Sequence, residues 1–145
     1  MKTIRNALAV SLLILVSACA SGPKFSDVGA TIPAIPDGSA RVYFYRTQVF
    51  GAAIQPTIKL NGNPVGDCEP NGVFYTDLKP GDYKANVETE VEHELTFTLS
   101  AKDEKFVRCY ISIGLFVGRG NLELVDPIEG RKDIQTLSYT GKPKI

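Results

Sequence analysis

PTIKLNGNPVGDCEPNGVFYTDLKPGDYKANV, residues Pro56–Val87, decides the fold class. Two turn signals, Asn61-Gly62-Asn63 and Lys79-Pro80-Gly81-Asp82, separate short runs in which apolar and polar residues alternate. Alternation at period two marks strands with one buried face. Asn61-Gly62 tolerates positive φ, so Thr57–Leu60 can reverse into Pro64–Gly66. Pro80 presets one turn dihedral and Gly81 accepts a left-handed one, so Val73–Asp77 and Tyr83–Glu88 are expected to pair as a hairpin, with Tyr83, Ala85 and Val87 inward.

Upstream, Arg41-Val42-Tyr43-Phe44-Tyr45-Arg46 has high strand propensity throughout. Val42 and Phe44 share one face, Tyr43 and Tyr45 the other. Two apolar faces predict a central strand covered on both sides. Left exposed, Tyr43 and Tyr45 would instead form a stacking platform for sugar rings, and they stand as ligand-binding candidates on that ground; packing is the commoner role of strand tyrosines.

Downstream, Glu88, Glu90, Glu92 and Glu94 fall on one parity, the pattern of a solvated strand face. A Ca²⁺ site would need carboxylates converging from several loops. Leu95, Phe97 and Leu99 point inward. In Lys105–Ile113 the core face is Val107, Cys109, Ile111 and Ile113, and the other face is Phe106, Arg108, Tyr110 and Ser112. Gly114–Asn121 contains a Gly-x-x-x-Gly spacing, but its apolar surroundings are too short for a membrane helix and it lacks the Gly-Lys-Ser/Thr ending of a phosphate loop. It reads by default as a simple flexible connection; the alternative is a mobile rim loop that places Arg119 beside the sandwich end. Leu122–Val125 adds an edge strand, and Ile128–Leu137 a short C-terminal helix interrupted by Gly130. The fold class is therefore all-β: an antiparallel β-sandwich of about seven to eight strands.

The N-terminus carries a second, independent signal. Met1–Asn6 holds Lys2 and Arg5, Ala7–Val16 is apolar, and Ser17-Ala18-Cys19 follows. That apolar run is shorter than the roughly 20 residues a spanning helix needs. Val16-Ser17-Ala18-Cys19 resembles a bacterial lipobox, which implies acylation of Cys19 and attachment to a membrane through its acyl chains. Ala20, where enterobacterial inner-membrane lipoproteins carry aspartate, implies the outer membrane, on its periplasmic face. The expected organisation is a lipoprotein signal peptide over 1–18, a lipidated flexible tether over 19–39 and the sandwich over 40–145. Gly22, Pro23, Gly29, Pro33, Pro36 and Gly38 motivate the tether. Its length would reach about 25 Å as a flexible coil and about 60 Å if stiffened by proline.

Composition narrows the function classes. With 43% hydrophobic and 22% charged residues the chain fits one globular domain and its leader. Lys plus Arg and Asp plus Glu both total 16, so no net field favours nucleic acid.

Four motifs, Arg41-Val-Tyr-Phe-Tyr-Arg46, Lys59-Leu-Asn-Gly-Asn-Pro-Val-Gly66, Asn71-Gly-Val-Phe-Tyr75 and Leu78-Lys-Pro-Gly-Asp-Tyr83, resemble the bacterial lipoprotein family filed as domain of unknown function 2846. The resemblance runs over about Ser39–Ser112, and its last two motifs also resemble the PEGA and carboxypeptidase-regulatory sandwich modules. It implies a transthyretin-like β-sandwich on a lipidated tether and carries over no catalytic residues.

Two function classes follow. The first is a non-enzymatic binding or assembly module whose partner is an envelope protein, peptidoglycan or a glycan, with Tyr43, Tyr45, Arg108 and Arg119 as its candidate contacts. The second is a hydrolase or transferase subunit using carboxylates such as Asp77, Asp82 or Asp126. His93 is the only histidine, and it lies in the acidic run outside any nucleophile motif. No cofactor is expected, and the spacing of cysteines and histidine matches no zinc site. Export makes a Cys68–Cys109 disulfide the expected state of the two cysteines left once Cys19 is acylated. The alternative is a buried Cys109 acting as a small hydrophobe and an exposed Cys68 thiol.

Overall fold

The computed structural model describes residues 19–141; the expected signal peptide lies outside these residues, as do residues 142–145. The described strands are β1 (Ala40–Arg46), β2 (Thr57–Leu60), β3 (Asn63–Asp67), β4 (Gly72–Leu78), β5 (Gly81–Glu88), β6 (Glu92–Leu99), β7 (Glu104–Ser112), β8 (Arg119–Val125) and β9 (Ser138–Tyr139). The helices are α1 (Phe25–Val28) and α2 (Pro127–Asp133), each followed by a 3-10 turn, Gly29–Thr31 and Ile134–Thr136. A five-stranded sheet runs β8-β7-β1-β4-β9 and a four-stranded sheet β3-β2-β5-β6.

The β-sandwich is as expected, with one difference of direction. Most neighbours are antiparallel, but β1 pairs β7 and β4 pairs β9 in parallel, so the larger sheet is mixed. Parallel pairing needs a long crossover. The whole four-stranded sheet lies in sequence between β1 and β7 and supplies it.

Asn61 and Gly62 adopt φ of 47° and 83°, and β2 turns directly into β3 with Leu60 opposite Asn63. The second turn behaves differently from the hairpin the sequence suggested. β4 pairs β1, whereas β5 pairs β2 and β6, so Lys79-Pro80 carries the chain from one sheet to the other. Alternation specifies which face of a strand is buried, not which strand lies beside it.

β1 occupies the centre of its sheet and is buried along its length. Val42 and Phe44 enter the core between the sheets with Val107, Cys109 and Leu122, facing Ile58, Leu60, Ala85, Val87, Phe97 and Leu99. Ile113, expected on this core face, is exposed because β7 ends at Ser112.

The opposite face of β1 is covered by a second apolar cluster. Tyr43 stacks on Phe106 with centroids 4.9 Å apart, and Phe25 meets Tyr43 edge-on at 5.8 Å. Phe25 belongs to the segment expected to be a flexible tether, so that expectation is corrected: residues 20–39 pack on the sandwich. The Phe25 amide donates to the Leu137 carbonyl at 2.8 Å, the Tyr139 amide to Pro23 at 2.8 Å and the Ala20 amide to Pro70 at 2.9 Å. Burying Phe25 and Ile32 against aromatic rings outweighs the glycine and proline content that suggested a coil.

Candidate functional site

The strand registers gather several loops at one end of the sandwich. β1 reaches that end at Arg46, opposite Gly72, where β4 begins; β7 reaches it at Ser112, opposite Arg119. The β5–β6 turn joins them, since the Gly120 amide donates to Thr89 Oγ1 at 3.0 Å. The described chain also enters here: Ala20 bonds to Pro70 and lies beside Gly72, and Cys19 before it is exposed.

Arg46 organises this end from within. Its guanidinium is completely buried and donates to four backbone carbonyls: Gln48 at 3.0 Å, Ile54 at 2.8 Å, Cys68 at 3.0 Å and Phe50 at 2.7 Å. Burial lowers its pKa from the ordinary arginine value. The β1–β2 loop is thus wound around one cation. Cys68, in the loop between β3 and β4, is disulfide-bonded to Cys109 in β7, with Cα atoms 6.1 Å apart.

Glu90 plays the matching role on the other side. Its carboxylate accepts from the amides of Leu115 (2.8 Å), Phe116 (3.0 Å) and Val117 (3.3 Å) and from Arg119 Nε (3.1 Å). The amide of Phe116 foremost, with those of Leu115 and Val117 and the Arg119 side chain, pushes its pKa down to about 2. The acidic parity read as a solvated face therefore contains one clamp. Glu92 also has a partner, accepting from Asn86 Nδ2 at 2.7 Å.

The four candidate contact residues fall in other places. Tyr43 and Tyr45 are 6% and 2% exposed, so no sugar platform exists there; residues 20–39 and α2 cover that face. The Tyr45 hydroxyl donates to Asp133 at 3.0 Å, and burial with that bond raises its pKa. Arg108 is engaged internally, reaching Glu123 at 2.7 Å, Glu129 at 2.9 Å and Asp133 at 3.5 Å. The Glu123 bond, ahead of the rest, raises its pKa. Arg119 does reach the sandwich end, but as the partner of Glu90.

The carboxylates of the enzyme reading are likewise in structural use. Asp77 forms a bidentate pair with Arg41 at 2.6 and 2.8 Å, Asp82 accepts from Thr98 Oγ1 at 2.6 Å, and Asp126 caps α2 by accepting from the Ile128 amide at 2.9 Å. His93 Nδ1 accepts from the Leu122 amide at 3.2 Å, bridging the two sheets at their β6 and β8 edges. Among the described residues no group of three or more His, Cys, Asp or Glu side chains could hold a metal ion.

Comparison with known proteins agrees with the motif resemblance. An uncharacterized protein of Haemophilus influenzae is 29% identical over 138 residues, spanning 92% of this chain and 82% of its own length. Among solved structures, the N-terminal domain of AlgF from P. aeruginosa is similar over 64% of this chain and 100% of its own, at 19% identity and a TM-score of 0.38. Residues 36–120, more than half of the chain, match the family described as "Protein of unknown function (DUF2846)", and the chain belongs to that family.

Proposed function

We propose that this protein is a lipoprotein held to a membrane by acyl chains on Cys19, the outer membrane on the reading of Ala20, and that it serves there as a non-catalytic binding or assembly module of the cell envelope. The observation that carries this reading is Cys19 itself. It follows a charged and apolar leader with small residues at Ser17 and Ala18, and its side chain is exposed where the described chain begins. Three acyl chains, the number the lipoprotein resemblance implies, anchor stably where one holds only marginally.

The non-catalytic half of the proposal is supported by the use to which the polar residues are put. Asp77, Asp82, Asp126 and His93 each hold a strand, a helix or a sheet edge. The partner would be an envelope protein, peptidoglycan or a glycan. A cleft of about 460 Å³ beside β3 and β4, with Asp67, Tyr75 and Thr140 among its lining, offers such a partner both an aromatic face and polar groups.

The anchor is tested with Cys19→Ala. The variant should lose incorporation of labelled fatty acid and either leave the membrane fraction or accumulate as precursor. Equal labelling of variant and parent would sink the proposal.

A further inference from the structure

We propose that the loop end of the sandwich is a membrane-docking surface, in which the β1–β2 loop and the Ile113–Val117 loop press their apolar side chains into the bilayer that anchors Cys19. This deepens the lipoprotein reading and rests on it for the anchor.

Nine large hydrophobic side chains are exposed among the described residues, and seven of them lie at this one end. Val49 and Phe50 belong to the β1–β2 loop, Val91 to the β5–β6 turn, and the rest to the Ile113–Val117 run. Phe116 is 93% exposed, Ile113 84% and Leu115 80%. A concentration of apolar surface on one end is unlike the scattered single hydrophobes of an ordinary surface and marks a place of contact.

Three observations select a bilayer as the occupant. The first is where the chain enters. Cys19 adjoins Ala20, which is bonded to Pro70, and Cys68 and Phe50 are joined through the Arg46 guanidinium. The anchor and the apolar loops therefore share an end. Because residues 20–39 are packed on the sandwich rather than strung out as a tether, an acylated Cys19 would bring this end down onto the lipid.

The second is charge. Thr47–Gln55 and Tyr110–Gly118 contain no charged residue. Beside the Ile113–Val117 loop, Glu90 and Arg119 neutralise each other. The third is backbone satisfaction. Polar groups of the main chain enter hydrocarbon only when already hydrogen-bonded. Glu90 takes up the Leu115, Phe116 and Val117 amides, and Arg46 takes up the Gln48, Phe50 and Ile54 carbonyls. The β1–β2 loop also packs against this end: a Cβ at Gly51, which sits at φ +69°, would lie 2.9 Å from Ile111 Cγ2 at the end of β7, and one at Gly118, just after the Ile113–Val117 run, would lie 2.8 Å from Ile54 Cδ1.

The chain has no tryptophan, so a single introduced indole reports depth without background. Full-length Phe116→Trp and Ile128→Trp proteins are reconstituted in phosphatidylethanolamine–phosphatidylglycerol vesicles containing chain-brominated phosphatidylcholine, and acylation is measured on the same samples. Ile128, at the start of α2 and exposed, reports the far end. Burial at the headgroup–acyl boundary should quench Phe116→Trp at least about twofold and shift its emission to the blue, while Ile128→Trp stays unquenched. Acylated protein with an unquenched Phe116→Trp overturns the docking surface and leaves the anchor standing. Quenching without acylation supports docking and removes the anchor. Equal quenching of both variants, or a Phe116→Trp indole shielded from iodide but untouched by bromolipid, overturns the proposal; in the last case a protein covers the loops.

Discussion

Glu90 holds three consecutive amides and an arginine with a side chain that is 13% exposed, so the Ile113–Gly118 loop depends on one ionised carboxylate. With its pKa pushed from 4.5 down to about 2, its contribution is fully present above 4.5 and is lost as the pH falls toward 2. Amide protection at Leu115, Phe116 and Val117, taken relative to the intrinsic exchange rate at each pH, should therefore fall across that window while the β7 amides stay protected. Glu90→Gln should show the reduced protection already at neutral pH, and a variant with parental protection would remove Glu90 as the clamp. The sequence hid this role. Glu90 sits in an acidic run at strand period, and nothing in its spacing points to a loop 25 residues away. Arg46 was hidden in the same way: it reads as the polar end of a strand, yet its guanidinium lies inside four carbonyls that come from two separate loops. Tyr43 and Tyr45 show the converse, since the burial of both faces of their strand was legible and only the segments that cover them were not.

α2, expected over Ile128–Leu137, runs over Pro127–Asp133, and the expectation missed its cap and misread its middle. Asp126 and Pro127 are a cap and a first-turn proline, and the structure uses them so, with Arg131 and Lys132 in the last turn. Gly130 reads in the sequence as an interruption, but it lies within the helix and is buried, and a Cβ there would come 2.5 Å from Phe106 Cβ. It is the point at which α2 presses on β7. On propensity alone Gly130→Ala would favour the helix by about 1 kcal/mol, whereas overpacking against an immobile ring costs about 1–3 kcal/mol. A net destabilisation of about 0–2 kcal/mol is expected in urea unfolding. A stabilised variant would show that Phe106 has room to move. The Lys79-Pro80-Gly81 turn was misassigned for a related reason, because a turn motif fixes local dihedrals and leaves open whether the next strand stays in its sheet. Here the chain crosses, with Gly81 at φ +147°.

At the scale of the molecule, the sandwich is closed by contacts remote in sequence, and the Cys68–Cys109 bond is the one that covalently constrains the unfolded chain. Cys68 lies in the loop that leads from the smaller sheet to the larger, and Cys109 in the middle of β7, both buried in the core between the sheets. The proposed export makes the pairing an expectation; that the two Cα atoms come within 6.1 Å is a consequence of the fold, which sequence spacing does not reveal. The separation of 41 residues gives a loop-closure contribution of about 4 kcal/mol on the chain-entropy model. Against the 5–15 kcal/mol typical of a whole domain, roughly, that is a large share. The Cys68→Ala, Cys109→Ala double variant should lose about 3–4 kcal/mol in denaturant unfolding, and reducing agent should lower the parent's stability but leave the variant's unchanged. Thiol alkylation of the parent under denaturing, non-reducing conditions provides the independent check: Cys68 and Cys109 should stay unmodified, and labelling of both in protein recovered from the cell would end the proposal that the bond forms there.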